Sequence, residues 1–180
     1  GIIGVNRGLD NLIKAIDLVR DINPHLTLIS SLREPLILRL IDELKLSTVI
    51  NLIDTLPQPS LPGYIHESDI GILPFPSRDS WNTSSPLKLF EYLSCGKPVV
   101  VTDIPAHRNV VGDLPCAFFA KDHSPKELAK AIRNAYAKRQ QFNELVTCAR
   151  ELVLDRYTWE RQANTLTQFL TCLMNEDETL

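Results

Sequence analysis

The sequence predicts an α/β fold: a doubly wound parallel sheet with helices on both faces. Three observations predict it. Short apolar runs rich in β-branched residues alternate with longer amphipathic stretches along the chain. Those longer stretches can serve as the right-handed crossovers that parallel strands require. Hydrophobic residues make up 44% of the 180 residues and charged ones 23%, enough apolar mass for a packed core.

Five runs read as strands: Leu26–Ser30, Val49–Ile53, Ile70–Leu73, Pro98–Thr102 and Cys116–Phe119. Helical spacing appears in Leu9–Ile22 and in Leu36–Leu46. Leu87–Ser94 is short and apolar on several sides, so a buried helix is expected. Ser124, Pro125 and Glu127 supply an N-cap, a proline in the first turn and an acidic first turn for a further helix. Two more follow, near Phe142–Leu154 and Thr158–Met174, with Thr158 as N-cap. Gln58–Pro62 and Phe75–Ser85 read as loops. One domain is expected over residues 1–174, with an acidic, frayed tail over 175–180.

The net charge is −3 and spread evenly, which weighs against nucleic acid as the main partner. No apolar run reaches the roughly 20 residues of a membrane span, and no signal-peptide pattern opens the chain. Cys95, Cys116, Cys148 and Cys172 are far apart and form no metal-ligand spacing, so they read as reduced core cysteines of a cytoplasmic protein. His25, His66, His107 and His123 are isolated and read as surface or loop residues. No metal ligand is expected. The chain begins with Gly1 and its single Met is Met174, so a processed chain or a piece of a larger one is expected.

In parallel sheets of this kind ligands bind beyond the carboxyl ends of the strands. Two segments there could carry chemistry. The first is GIIGVNRG, Gly1–Gly8. Its glycines, Gly4 among them, allow close backbone approach. The helix opening after Gly8 offers free N–H groups, with Arg7 beside them. The spacing is neither a Walker motif nor a dinucleotide fingerprint, and a plain turn with a solvated Arg is the alternative.

The second segment is TSSPLKLFEYLSCGKPVV, Thr83–Val100. Hydroxyls at Thr83, Ser84 and Ser85 are placed to cap a helix opened by Pro86 and Leu87, with free N–H groups facing the preceding loop. Lys88 in the first turn opposes the helix dipole, which an anion at that end would explain. Glu91 lies in an otherwise apolar helix, where a carboxylate is costly unless paired or bound to ligand hydroxyls. A plain Lys88–Glu91 ion pair is the alternative.

The string SPLKLFEYLSCGKPVVVTD, Ser85–Asp103, resembles the signature of the retaining glycosyltransferases of the large "group 1" family, which includes enzymes like glycogen synthase and mannosyltransferases. Supporting pieces follow the family's order: RGLDNLIKAI at Arg7–Ile16, SDIGILP at Ser68–Pro74, Ser124–Ile132, and YTWE at Tyr157–Glu160. The resemblance implies the C-terminal, Rossmann-like half of a GT-B fold. In that family a strand runs directly into the position of Gly1, so the domain's first strand is expected to be truncated.

It also implies a function: transfer of a sugar from a nucleoside-diphosphate sugar to an acceptor with retention of configuration, by front-side attack, without a further cofactor. Arg7 matches the basic residue on the donor diphosphate. Ser84, Ser85, Pro86 and Leu87 match the helix end facing the diphosphate and sugar. Glu91 matches the second Glu of the family's Glu–seven residues–Glu motif, which holds the ribose hydroxyls. The first Glu of that motif falls on Thr83, altering a donor contact, and Lys88 is suspected of supplying a polar contact or second cation in its place. Ile2 stands where the family usually has another Arg.

The resemblance implies a missing N-terminal domain that binds the acceptor, including a lipid or polysaccharide of the cell envelope. Any peripheral association with the inner face of the membrane would run through that domain. The chain alone is then expected to be inactive, with the Gly1–Gly8 turn locally disordered. The rival readings are a non-catalytic nucleotide-binding or scaffold module on the same fold and a nucleotide-sugar epimerase. A dehydrogenase fails on the glycine and acidic spacing.

Overall fold

The computed structural model describes residues 5–31 and 34–177. The Gly1–Gly4 segment, with Gly4, Ile2 and half of the Gly1–Gly8 turn expected to be disordered, lies outside them. Five strands form: β1 (Leu26–Ile29), β2 (Ile50–Ile53), β3 (Gly71–Leu73), β4 (Val99–Thr102) and β5 (Ala117–Ala120). The described helices are α1 (Leu9–Leu18), α2 (Pro35–Glu43), α3 (Leu61–Glu67), α4 (Asp79–Asn82), α5 (Leu87–Ser94), α6 (Pro105–Val111), α7 (Pro125–Ala137), α8 (Phe142–Arg156) and α9 (Trp159–Asp177). Each strand lies within a residue of its predicted run. The loop-like segments are less bare than predicted: Gln58–Ser60 makes a 3-10 turn that runs into α3, and α4 sits inside the Phe75–Ser85 loop.

All strand pairs are parallel, and helices cover both sides, as the alternation predicts. The pairing is nevertheless split. β1 pairs with β2, with Leu26 opposite Ile50, and the other ladder runs β3–β4–β5, with Gly71 opposite Val99 and Val99 opposite Ala117. No described strand joins β1 to β3.

The core follows from the apolar runs. Val99, Val100 and Val101 of the central β4 are fully buried, as a β-branched strand covered on both faces should be. Ile13 and Leu12 of α1 pack with Leu128 and Ile132 of α7 on one side. Leu89 and Leu93 of α5 pack with α8 on the other. The Ser124 hydroxyl accepts the Glu127 N–H at 3.4 Å, the predicted cap of α7. Thr158 caps α9 in the same way through the Arg161 N–H at 3.3 Å. That helix continues past Met174 to Asp177, and Leu166, Phe169, Leu170 and Leu173 leave an exposed apolar stripe along it.

Three expectations change. α5 is only partly buried, because Leu87 is 66% exposed. His107 is no surface residue: it lies fully buried on α6. The four cysteines are free, but Cys172 is exposed on α9 rather than in the core.

Candidate functional site

The carboxyl ends of β3 and β4 carry the site. The Thr102 hydroxyl donates to the Phe75 carbonyl at 2.7 Å, tying the residue beyond β3 to the last residue of β4. The Thr102 carbonyl lies 2.8 Å from Nδ1 of His107. A carbonyl can only accept, so Nδ1 carries the proton. Burial depresses the His107 pKa below its usual 6.5, keeping the ring neutral. Its Nε2 is buried without a hydrogen-bond partner among the described residues. The His107 ring lies 5.6 Å from that of Phe75, centre to centre, and Phe75 lies 4.5 Å from Trp81.

The N-terminal segment crosses the same strand end. Gly8 has φ +74°, and a Cβ there would fall 2.0 Å from the Pro74 carbonyl oxygen. Only glycine fits this crossing. It brings Arg7 over the aromatic pair: the guanidinium carbon is 5.2 Å from the Trp81 ring centre and 6.0 Å from that of Phe75. Such placement is a cation–π contact. The Trp81 indole N–H donates to the Asn6 carbonyl at 3.0 Å, which fixes the turn leading to Arg7.

Across from Arg7, α5 presents Lys88 and Glu91, whose Nζ and Oε2 are 3.5 Å apart. Both side chains are about two-fifths exposed, at 38% and 43%, so Glu91 is not the buried carboxylate expected. Arg7, Lys88 and Glu91 line one cavity of about 660 Å³, together with Phe75. Among the described residues no group of three metal-ligating side chains forms.

The other expected residues are placed differently. Thr83 and Ser84 do not cap α5. Their hydroxyls donate to the Asp79 and Trp81 carbonyls, closing α4 instead. Pro86 takes the N-cap position with no side-chain cap, and the Leu87 N–H bonds the Ser85 carbonyl at 3.0 Å. That N–H is spent locally rather than aimed at the loop. None of Thr83, Ser84, Ser85, Pro86 or Leu87 lines the cavity. Trp81, Phe75, Thr102 and His107 escaped the sequence reading. A lone Trp amid the polar loop SRDSWNTSS was the available signal.

The parallel α/β domain brings two cations and a carboxylate to one cavity beyond its strand ends, where folds of this class bind ligands. The model of the family "Glycosyl transferases group 1" matches residues 1–138, and the chain belongs to this family. A stretch of 97 residues is 34% identical to TuaH of Bacillus subtilis, assigned as a glycosyltransferase of teichuronic acid biosynthesis. That match covers 46% of this chain and 24% of TuaH. The fold superposes on sucrose-phosphate synthase from Thermosynechococcus elongatus with a TM-score of 0.82 at 19% identity, over 98% of this chain and 44% of that one. It also superposes on Anabaena HepE, solved with UDP, with a TM-score of 0.82 at 15% identity, over 96% and 47%. At such identities these likenesses establish the fold, that of one Rossmann-like half of the GT-B glycosyltransferases. The chain spans less than half the length of these relatives.

Proposed function

We propose that the chain is the donor-binding half of a glycosyltransferase that takes its sugar from a nucleoside-diphosphate sugar. The observation carrying this reading is the single cavity that Arg7, Lys88 and Glu91 share at the strand ends. Arg7 and Lys88 supply positive charge for the diphosphate. Glu91 offers carboxylate oxygens to ribose hydroxyls. HepE, with the same fold, was solved with UDP, which supports this choice of ligand.

The chemistry follows from charge. Cleaving the bond from the sugar to the diphosphate leaves negative charge on the departing phosphate oxygen. Two fixed cations stabilise that charge as it develops, so they act more strongly in the transition state than on bound donor. In a front-side attack, which retains configuration, the acceptor hydroxyl approaches on the face the phosphate leaves. The departing phosphate oxygen is then near enough to take the acceptor proton. The acceptor is bound by an N-terminal domain beyond this chain. The 34% match to TuaH, of teichuronic acid biosynthesis, supports a cell-envelope polysaccharide as that acceptor. Thr83, turned away onto α4, gives no donor contact here, so Lys88 takes up that part.

Calorimetry with UDP and GDP on the wild type and on Glu91→Ala tests the reading. Binding of one nucleotide that Glu91→Ala weakens at least tenfold is expected. Absence of binding to either, or equal affinity in the variant, refutes the donor site. A second reading, a non-catalytic nucleotide-binding module, is favoured by the displaced Thr83. Sugar-nucleotide turnover by the full-length protein discards it.

A further inference from the structure

Strand β4 consists of three valines and a threonine, and the threonine is the odd residue. Thr102 is 1% exposed and His107 is fully buried; with Ser30 they are the buried polar side chains among the described residues. A valine at 102 would bring no hydroxyl to be satisfied. His107 carries a cost of its own, because its Nε2 is buried with no hydrogen-bond partner among the described residues. An apolar pair at these two places would serve the core better. Their chemistry therefore answers to something other than packing.

That something lies beyond the end of β3. The ladder of β3 with β4 ends at Leu73 opposite Val101. Pro74 follows and, with no N–H, cannot extend the ladder. The Thr102 hydroxyl takes over one residue further on, where it donates to the Phe75 carbonyl. The Thr102 carbonyl is engaged as well, by the Ile104 N–H at 2.9 Å and by the Nδ1–H of His107. The His107 ring then meets the ring of Phe75. Phe75 is thus gripped twice, by its carbonyl and by its ring.

The turn that carries Arg7 rests on this residue. Gly8 crosses over the adjacent Pro74, and the Phe75 ring packs on Trp81 and faces the Arg7 guanidinium. Phe75 lines the cavity with Arg7, whereas Thr102, His107 and Trp81 do not. Thr102 and His107 can therefore act on a ligand in the cavity only through the residues in front of them.

We propose that Thr102 and His107 are positioning residues for the donor diphosphate: they hold Phe75, and with it Trp81, so that the Arg7 guanidinium stands at one place on the cavity wall. The proposal rests on the donor-site reading. Removing either residue leaves Arg7 present and charged but misplaced, and the nucleotide feels the loss more than the fold does.

A double-mutant cycle on UDP affinity tests this by calorimetry, with GDP in its place if GDP is the nucleotide bound. Thr102→Val removes only the hydroxyl and should weaken binding about threefold to tenfold. Thr102→Ser keeps the hydroxyl and should stay within about twofold of the wild type. In an Arg7→Ala background Thr102→Val should change affinity by less than about twofold, because its effect runs through Arg7. An equal loss in both backgrounds overturns the proposal. His107→Leu removes the unpartnered nitrogen at similar volume, so a purely structural role predicts unchanged affinity and undiminished stability. The proposal expects a folded protein with weaker UDP binding, and this variant decides the matter should Thr102→Val fail to fold. Trp81 itself gives a readout free of nucleotide. Trp159 is 88% exposed, and Trp159→Phe leaves Trp81 as the single tryptophan. In that background Thr102→Val should move Trp81 emission to longer wavelength; an unmoved spectrum overturns the proposal. Nucleotide binding that Arg7→Ala weakens and neither Thr102→Val nor His107→Leu alters refutes this proposal alone. No binding of UDP or GDP by the wild type refutes the donor site, and this proposal with it.

Discussion

The guanidinium of Arg7 sits 5.2 Å from the ring centre of Trp81, and the same indole donates its N–H to Asn6, the residue next to Arg7. One side chain thus holds both the cation and the backbone that presents it. A cation–π contact is worth about 0.5–2 kcal/mol. Trp81→Ala should therefore weaken UDP or GDP binding between about 2-fold and 30-fold in calorimetry, and Trp81→Phe, which keeps a ring but loses the N–H, should fall between. Equal affinity in all three proteins would show that Arg7 finds its place unaided.

Lys88 and Glu91 separate a binding role from a structural one. A half-exposed pair at this helical spacing contributes about 0–1 kcal/mol to stability. Lys88→Ala and Glu91→Ala should then shift Tm by no more than about 4 °C in a chain of this size. Nucleotide affinity should drop in both. A large loss of Tm with unchanged affinity would make the pair a packing device.

Gly8 and Gly63 should respond oppositely to alanine. At Gly8 the positive φ and the Pro74 carbonyl both reject a Cβ, so Gly8→Ala should cost at least about 1–2 kcal/mol in denaturant unfolding. Gly63, inside α3, has open space where a Cβ would go, and Gly63→Ala should stabilise by about 0.5–1 kcal/mol.

His107 gives the stability a pH dependence of known sign. Its folded pKa lies below 6.5, so the unfolded chain takes up the proton first. Its contribution is complete above about pH 6.5 and is lost as the pH falls below that value. Denaturant midpoints at pH 7.5 and 5.5 should show the loss. His107→Gln, which cannot titrate, should show a smaller difference between the two pH values than the wild type. A wild-type difference no larger than the variant's would refute the assignment.

The cysteines should differ in reactivity. Burial pushes the Cys116 thiol up to about 12, and Cys148 Sγ lies 3.5 Å from it. A thiol with so little thiolate is a poor nucleophile. Iodoacetamide at pH 8 should modify the exposed Cys172 first and Cys116 only on unfolding, as mass spectrometry of timed digests can follow.

The strands were legible because their apolar, β-branched residues lie in runs of three or four, as in VVVT of β4. α5 was legible to its end residues, because Pro86 and Gly96 bracket it. α3, α4 and α6 span seven, four and seven residues, too few turns for a helical period to stand out. The hydroxyls were misplaced for a different reason. A Ser or Thr can bond an amide ahead of it or a carbonyl three or four residues behind, and Thr83 and Ser84 take the second option. Of the residues lining the cavity, Arg7, Lys88 and Glu91 could be named because charge in apolar surroundings is conspicuous. Their aromatic support could not, since nothing local to Trp81 reveals that Asn6 and Arg7 lie against it.

The bond from Thr102 to the Phe75 carbonyl has a thermodynamic consequence. It ends a chain of contacts running from β4 through Phe75 and Trp81 to Arg7, each held by a neighbour rather than by solvent. A side chain already fixed in this way has little freedom left to surrender when an anion arrives. On the proposed donor-binding reading, the entropy lost on binding would fall mainly on the nucleotide, whose flexible diphosphate is the partner to be ordered.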